Sequence, residues 1–497
     1  MVNGPRHVGR DVLYQTAAKA SFVAGGYAVH LGLGRYLGPA AYGTVGIVLS
    51  VTGILRIFVM NGVRQAVSRL TAVNGIFAAG EIRRQALQVQ ALFVTVVTLI
   101  YLALVKPFSR WLGDETLVPY LRLAALFIPL AGFYVVYLSS LNGLREFGRQ
   151  ASIIILYNVV RVLGSLGLVW LGFHVYGAVI GLLLAPLTAL VAGWLFSRAL
   201  HTRQNGIPTQ SLLGLGHSQI IDLIRFGVPM LLYAVGTSLL LNLDLFLVKR
   251  LLFDETAAGV YAAGMALSQG LYYMAQVFVE ILFPSVGAIS SQLGKDKAAT
   301  YIRRWLRLVI MVLFLGATVL SSGAREVIGW TYANSYSDGV RPLTWLSWGM
   351  CFYALFMILT NVIAALGRPW VATGLALGLV PLSALLNICL IPRLDLTGAA
   401  IATTATLLVG TVGALLWLSA LLRNVLDGLM LARVGLAAFL AYTSAVLAGP
   451  SSHVFGRWLL STLAYFVVLL VSKEITQSDW LMVKRLLCPY RPKRISQ

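Results

Sequence analysis

The chain has 497 residues, of which 59% are hydrophobic and 11% charged, and its formal net charge is +21. Soluble domains carry roughly 25% charged residues, so this composition excludes a soluble globular protein. Apolar runs of about 20 residues, the length that crosses a bilayer, recur without polar alternation, which excludes a membrane β-barrel. The basic residues are spread over many short loops, which is typical of topology signals rather than of a nucleic-acid-binding surface.

About fourteen transmembrane helices are predicted in an all-α polytopic membrane protein. They lie near residues 12–33, 42–61, 86–105, 118–142, 151–171, 176–197, 224–247, 257–283, 305–323, 343–366, 370–391, 397–421, 431–449 and 457–472. The basic N-terminus precedes a long apolar run without a clear cleavage site, so we expect a retained first helix rather than a signal peptide.

Lysines and arginines divide unevenly between the two sets of alternating loops. Of the 38 such residues, 26 fall in the set that contains both termini and 9 in the other set. Cytoplasmic loops carry the excess of positive charge, so both termini are predicted to be cytoplasmic. The predicted location is the cytoplasmic (inner) membrane.

An internal repeat is indicated by similar segments in the two halves. Tyr176–Gly181 resembles Thr397–Ala402, 221 residues later, and Gly34–Gly43 corresponds to Lys249–Gly259. Two six-helix bundles related by a pseudo-twofold along the membrane normal are predicted, although chance similarity among Gly/Ala-rich helices is the alternative. The predicted regions are an N-terminal bundle at 1–200, a cytoplasmic linker at 201–220, a C-terminal bundle at 221–423, two additional helices at 424–473 and a basic amphipathic tail at 474–497.

No catalytic motif is present, and three cysteines show no metal-binding spacing. We therefore predict a protein that is not an enzyme, without catalytic residues, metal or cofactor. The tail is predicted to lie on the anionic leaflet of the membrane, and ordinary cytoplasmic charges are the equal alternative. Nucleic acid is not an expected partner.

Buried cations in the first half predict an anion-binding site. Arg161 is central in the fifth span with Asn158 on the same face, Arg56 lies in the second span and Lys19 in the first. A cation near the bilayer centre costs roughly 2.5–3.5 kcal/mol, so it needs water, a counter-ion or a ligand. Arg56, Arg161, Lys19 and Asn158 are the predicted substrate-binding residues. A structural ion pair for the arginines, and a Lys19 that reaches to the membrane surface, stay open.

Polar residues of the second half predict coupling or gating. Gln269, Tyr272, Tyr273, Gln276 and Glu280 share one face of the eighth span, which should face a protein interior or a water-filled cavity. Asp244, Glu280 and Gln276 are the candidates. For Asp244 a salt bridge with Lys249 or an interfacial helix contact is the alternative, and for Glu280 a pair with a basic residue.

The chain resembles the polysaccharide transport family, the O-antigen-type flippases of the multidrug/oligosaccharidyl-lipid/polysaccharide exporter superfamily. The similar residues are Leu37–Gly43, the segment Gly62–Arg69, Asn242-Leu-Asp244, Ala258–Ala263 and Phe283-Pro-Ser285, within a resemblance that covers about residues 10–421. The resemblance implies two six-helix bundles in a V shape, a central cationic cavity and alternating access.

The same resemblance implies the cargo, an isoprenoid-diphosphate-linked oligosaccharide moved from the inner to the outer leaflet for cell-surface polysaccharide biosynthesis. Glycan polymerase or ligase machinery would be a partner. A cation-coupled multidrug or metabolite exporter of the same superfamily and a lipid II flippase are the main alternatives. A membrane enzyme is disfavoured by the short outward loops, and a scaffold role stays open.

Overall fold

The computed structural model describes residues 5–201, 217–293, 295–422, 428–449 and 454–474, and over these residues the chain is helical without a β-strand. The helices are α1 (Pro5–Leu112), α2 (Leu117–Ala124), α3 (Phe127–Gly143), α4 (Phe147–Leu168), α5 (His174–His201), α6 (His217–Leu240), α7 (Leu243–Leu252), α8 (Glu255–Leu293), α9 (Lys295–Ser322), α10 (Ala324–Thr331), α11 (Val340–Ala365), α12 (Pro369–Leu421), α13 (Gly428–Leu447) and α14 (Val454–Val471). The predicted tail at 474–497, apart from Glu474, and most of the linker at 201–220 lie outside the described residues.

Ten helical stretches in the described part of the chain are long and apolar enough to cross a membrane. The three longest, with 67, 53 and 53 residues, are Arg10–Ile76, Phe147–Ala199 and Pro369–Leu421. Each exceeds twice the roughly 20 residues that one crossing needs, and each is interrupted by non-helical backbone, at Gly38, Gly172 and Asp395. The prediction of an all-α multi-pass membrane protein is confirmed, and the number fourteen stays a prediction.

Contacts divide the chain into two compact units. Unit 1 comprises Met1–Leu267, Ile328–Pro342 and Pro369–Thr406, and unit 2 comprises Ser268–Val327, Leu343–Arg368 and Leu407–Gln497. Helix α8 is shared by both units. These units are discontinuous in sequence, whereas the predicted bundles at 1–200 and 221–423 are continuous segments. The predicted bundles stay a prediction.

Two glycines of unit 1 let backbone meet backbone where α1 bends. Gly38 has φ of 73°, and Pro39 follows it, so the helix turns between the first two predicted spans. A Cβ on Gly259 would lie 1.8 Å from Pro39 O, and a Cβ on Gly43 would lie 2.4 Å from Glu255 O. The bend of α1 therefore packs directly on the start of α8, and the two segments paired by the predicted repeat contact each other.

A buried ion pair lies near the same end of α8. Lys249 Nζ lies 2.8 Å from Asp114 Oδ2 and 3.4 Å from Glu255 Oε1, and the side chains of Lys249 and Asp114 are 5% and 7% exposed. Burial raises the pKa of the Asp114 carboxyl. Hydrogen bonds from Lys249 and Thr116 and the positive charge of Lys249 lower it by a larger amount, so the pKa lies below its usual value. The pair joins the loop after α1 to α7.

Three buried tyrosines complete this region of unit 1. Tyr42, Tyr332 and Tyr336 pack with ring centroids 4.8 to 6.4 Å apart, and Tyr336 Oη donates a 2.7 Å hydrogen bond to Gly34 O. His30 Nδ1 lies 2.9 Å from Tyr42 Oη. The bend of α1 is thus fixed from the segment between α10 and α11 as well as from α8.

In unit 2, ion pairs hold the helices that the sequence predicted as additional. Glu474, after α14, pairs with Arg433 of α13 at 2.7 Å and with Arg307 of α9 at 3.1 Å. Arg457 of α14 pairs with Glu326 of α10. Arg307, Arg433 and Arg457 are among the 35 loop lysines and arginines counted from the sequence; here they attach α13 and α14 to the rest of unit 2.

Because a Cβ at position 259 would overlap Pro39 O, we expect Gly259→Ala to lower the free energy of unfolding by about 1–3 kcal/mol. The higher helix propensity of alanine, worth roughly 0.5–1 kcal/mol, opposes this loss but is smaller. Gly374→Ala in α12 is the control, since a Cβ there meets nothing within 4 Å. Thermal unfolding of the purified protein in detergent measures both; equal melting temperatures would contradict the contact.

Lys249→Met would leave Asp114 as a buried carboxylate without its cation, and we expect a loss of about 3–5 kcal/mol of stability. Asp114→Asn in the same chain removes the stranded charge, so the double variant should be more stable than Lys249→Met alone. The comparison uses denaturant or thermal unfolding of the four proteins. Additive losses would show that the two groups do not interact.

Candidate functional site

Arg56 and Arg161, the two central cations predicted from sequence, lie over the same aromatic ring in unit 1. The guanidinium carbon of Arg56 is 5.1 Å from the centroid of Phe22, and that of Arg161 is 5.6 Å from it. Arg161 also lies 5.9 Å from the ring of Tyr157. The first part of α1 contributes Phe22, its second part Arg56, and α4 contributes Arg161. Two guanidinium groups that are distant in sequence therefore converge at one place.

The glycine pair Gly25-Gly26 allows α4 to approach α1 at this site. A Cβ on either glycine would lie 3.6 Å from Arg161 Nη2, and a Cβ on Gly25 would lie 3.2 Å from Asn158 Cβ. Asn158 Nδ2 donates to Ile154 O at 2.8 Å and more weakly to Ser21 Oγ at 3.3 Å. Asn158 thus packs α4 against α1, and its amide nitrogen is already used by protein acceptors.

Aromatic and basic residues that the sequence did not single out surround the arginine pair. The rings of Tyr134 and Tyr157 are 5.8 Å apart, and Arg56, Arg64 and Arg161 all lie close enough to Tyr134 to act on it electrostatically. Arg64 is exposed, and it belongs to the loop lysines and arginines from which the sequence predicts the topology. The group formed by Phe22, Arg56, Arg64, Tyr134, Tyr157 and Arg161 is called the arginine cluster below.

Lys19 is an exposed residue of α1, one turn before Phe22. Among the ion pairs found between described residues, none involves Arg56. The structural ion pair that the sequence left open for Arg56 is therefore absent from the described part of unit 1, where the guanidinium stacks on a ring instead.

Asp244 is buried, with 1% exposure, and is surrounded by hydrogen-bond donors. Its Oδ2 accepts from Tyr261 Oη at 2.7 Å and from Thr403 Oγ1 at 2.9 Å, and its Oδ1 accepts from Leu245 N at 2.9 Å. The carboxylate ties α7 to α8 and α12 within unit 1. No ion pair joins it to Lys249, which binds Asp114 and Glu255 instead.

The polar face of α8 continues in unit 2. Gln276 Nε2 donates to Tyr272 Oη, and Tyr273 Oη donates to Gln269 Oε1 at 3.4 Å. The ring of Tyr272 lies 5.4 Å from that of Tyr273 and 5.2 Å from that of Tyr353 in α11. The backbone at Glu280 is helical, but its side chain lies outside the described residues.

A family model described as polysaccharide biosynthesis protein matches residues 33–341, more than half of the chain. Among curated relatives, a probable multidrug resistance protein NorM of Bradyrhizobium diazoefficiens is 27% identical over 213 residues. That alignment covers 40% of this chain and 43% of the relative, so the chain spans less than half of that protein. A probable low-salt glycan biosynthesis flippase, Agl15 of Haloferax volcanii, is 22% identical over 381 residues, 76% of each chain.

Solved structures of transporters share the fold. The lipid II flippase MurJ in an inward closed conformation has a TM-score of 0.72 at 13% identity, covering 95% of this chain and 100% of that one. An inward-facing multidrug resistance MATE family transporter of the MOP superfamily has a TM-score of 0.62 at 17% identity, covering 80% and 94%. These likenesses establish the architecture. The family match makes this chain a member of the polysaccharide biosynthesis protein family, and its long apolar helices make it a multi-pass membrane protein.

Proposed function

We propose that the protein moves an isoprenoid-diphosphate-linked oligosaccharide from the inner to the outer leaflet for cell-surface polysaccharide biosynthesis. The observation that carries the proposal is the convergence of Arg56 and Arg161 on Phe22. The family match and the relative Agl15, a probable low-salt glycan biosynthesis flippase, support it. Arg56 and Arg161 bind the diphosphate in this proposal, Lys19 adds positive charge on the same helix as Phe22, and Asn158 positions α4.

The chemistry of such a cargo fits the arginine cluster. A glycan is too polar to cross hydrocarbon unaided, and its diphosphate needs a cationic site. A guanidinium group that lies over an aromatic face can direct its edge N–H groups to phosphate oxygens, with which it forms strong charge-assisted bonds. A membrane potential negative inside favours outward movement of an anion by about 2.3 kcal/mol per charge per 100 mV.

Two alternative cargoes are weaker. A cation-coupled multidrug or metabolite exporter is suggested by the NorM relative, but the arginine cluster would repel a cationic drug. A lipid II flippase is suggested by the likeness to MurJ, which at 13% identity supports the fold alone. Either alternative transporter would use the same alternating access, with a cavity open first to the inside and then to the outside.

We also place the protein in the cytoplasmic membrane with both termini inside, and we assign it no enzymatic activity. The loop charges support this orientation. Glycan polymerase or ligase machinery would act on the delivered product, and anionic lipids would contact the basic tail. Asp244 is assigned to gating, because it holds α7, α8 and α12 together, and Glu280 to ion coupling.

Arg161→Ala should reduce transport of a fluorescent polyprenyl-diphosphate oligosaccharide in proteoliposomes by about 10- to 100-fold, as expected for loss of a charge-assisted contact worth about 1.5–3 kcal/mol. Arg161→Lys should retain part of the activity. Arg122→Ala, at an exposed arginine of α2, is the matched control and should transport normally. Wild-type transport by folded Arg161→Ala protein would refute the anion site.

If Glu280 carries the coupling proton, Glu280→Gln should remove the dependence of transport on an imposed pH gradient, because a neutral amide cannot titrate. Asp244→Asn, in contrast, should lower the melting temperature while the dependence persists. Flux in vesicles with and without the gradient gives the first result, and thermal unfolding gives the second. An unchanged response to the gradient in Glu280→Gln would exclude Glu280 as the coupling group.

A further inference from the structure

A neutral cluster of aromatic and amide side chains in unit 2 differs in chemistry from the arginine cluster. It consists of Gln269, Tyr272, Tyr273 and Gln276 on α8, with Tyr353 of α11 packed against Tyr272, and is called the tyrosine–glutamine face below. The four residues of α8 recur at intervals of three and four, so they share one side of the helix. None of the five carries a charge at neutral pH. The sequence grouped Gln276 with the coupling or gating residues, but its amide cannot take up or release a proton and so cannot couple one.

We infer that the tyrosine–glutamine face binds the sugar of the cargo. This inference rests on the proposed function and extends it, because it separates recognition of the glycan from recognition of the diphosphate. Sugars present hydroxyl groups around apolar C–H surfaces. They therefore suit a site that combines aromatic faces with groups that both donate and accept hydrogen bonds.

The packing of the rings preorganises this face for a ligand. Tyr353 is 2% exposed and lies 5.2 Å from Tyr272 at an angle of 58°. Tyr272 and Tyr273 are both half-buried, with centroids 5.4 Å apart, so each keeps part of its ring accessible. A ring that is already held by neighbouring rings loses little conformational entropy when a ligand packs on it, which favours binding.

The hydrogen bonds within the face define its polar groups. Gln276 Nε2 donates to Tyr272 Oη, and Tyr273 Oη donates to Gln269 Oε1 at 3.4 Å. Each amide still has a second N–H and each carbonyl a second lone pair for a ligand. The weak 3.4 Å bond is the contact that a sugar hydroxyl would replace most readily.

The test compares two probes that differ only in the sugar: a polyprenyl diphosphate, and the same lipid carrying a neutral disaccharide. Wild-type protein in nanodiscs should bind the glycolipid more tightly than the bare lipid. Tyr272→Ala and Gln276→Leu should weaken glycolipid binding by about 5- to 30-fold, corresponding to loss of one or two contacts, and change bare-lipid binding less than twofold. Tyr272→Phe should lose only part of the effect, because the ring remains.

Tyr442→Ala, at a half-buried tyrosine of α13, is the matched control and should bind both lipids as the wild type does. If Tyr272→Ala weakens both lipids equally, or neither, the inference is wrong. Failure of the proposed function has a different signature: Arg56→Ala and Arg161→Ala would leave bare-lipid binding unchanged. A melting temperature recorded for every variant identifies any that fail to fold, and Tyr272→Phe and Gln276→Leu then serve in place of Tyr272→Ala.

Discussion

The architecture of unit 1 depends on one steric constraint: two helical segments touch through backbone where both sequences lack a side chain. Gly43 and Gly259 place the bend of α1 directly on the first turns of α8, and any Cβ at position 259 would overlap Pro39 O. Backbone contact of this kind is a common way for membrane helices to gain dispersion energy, since burial of apolar groups gains little when lipid is the alternative. The buried Lys249–Asp114 pair and the tyrosines around Tyr42 then act on a junction that is already closely packed.

The basic side chains of the molecule have two kinds of neighbour, carboxylates and aromatic rings. Lys249, Arg433 and Arg457 have carboxylate partners, and these ion pairs join helices. Arg56 makes no ion pair with another described residue, and its guanidinium lies over the ring of Phe22, which Arg161 shares. An ion pair gives little to a ligand, whereas a guanidinium over a ring can still direct its edge N–H groups to an anion. This contrast distinguishes Arg56 from the cations that join helices.

The sequence predicted the fold class because apolar runs of bilayer length report directly on the solvent around a helix. It also singled out Arg56 and Arg161, since an embedded guanidinium must meet something polar or aromatic, and both lie over the ring of Phe22, which no sequence pattern pointed to. Their role in binding stays a prediction. The suggested Asp244–Lys249 pair failed for a geometric reason: five residues along one helix rotate a side chain by roughly 140°, so the two point to different faces. The partner of Lys249 was instead Asp114, 135 residues earlier, and contacts of that separation depend on tertiary packing.

Phe22 has a consequence for turnover as well as for binding. In the proposed function the site must be empty for part of every cycle, and a guanidinium that lost its anion in a membrane would then lack a partner. A ring beneath a guanidinium stabilises the charge by about 0.5–2 kcal/mol whether or not an anion is bound. A single phenyl group shared by both cations would therefore keep the two charges in place after the anion has left, ready for the next one.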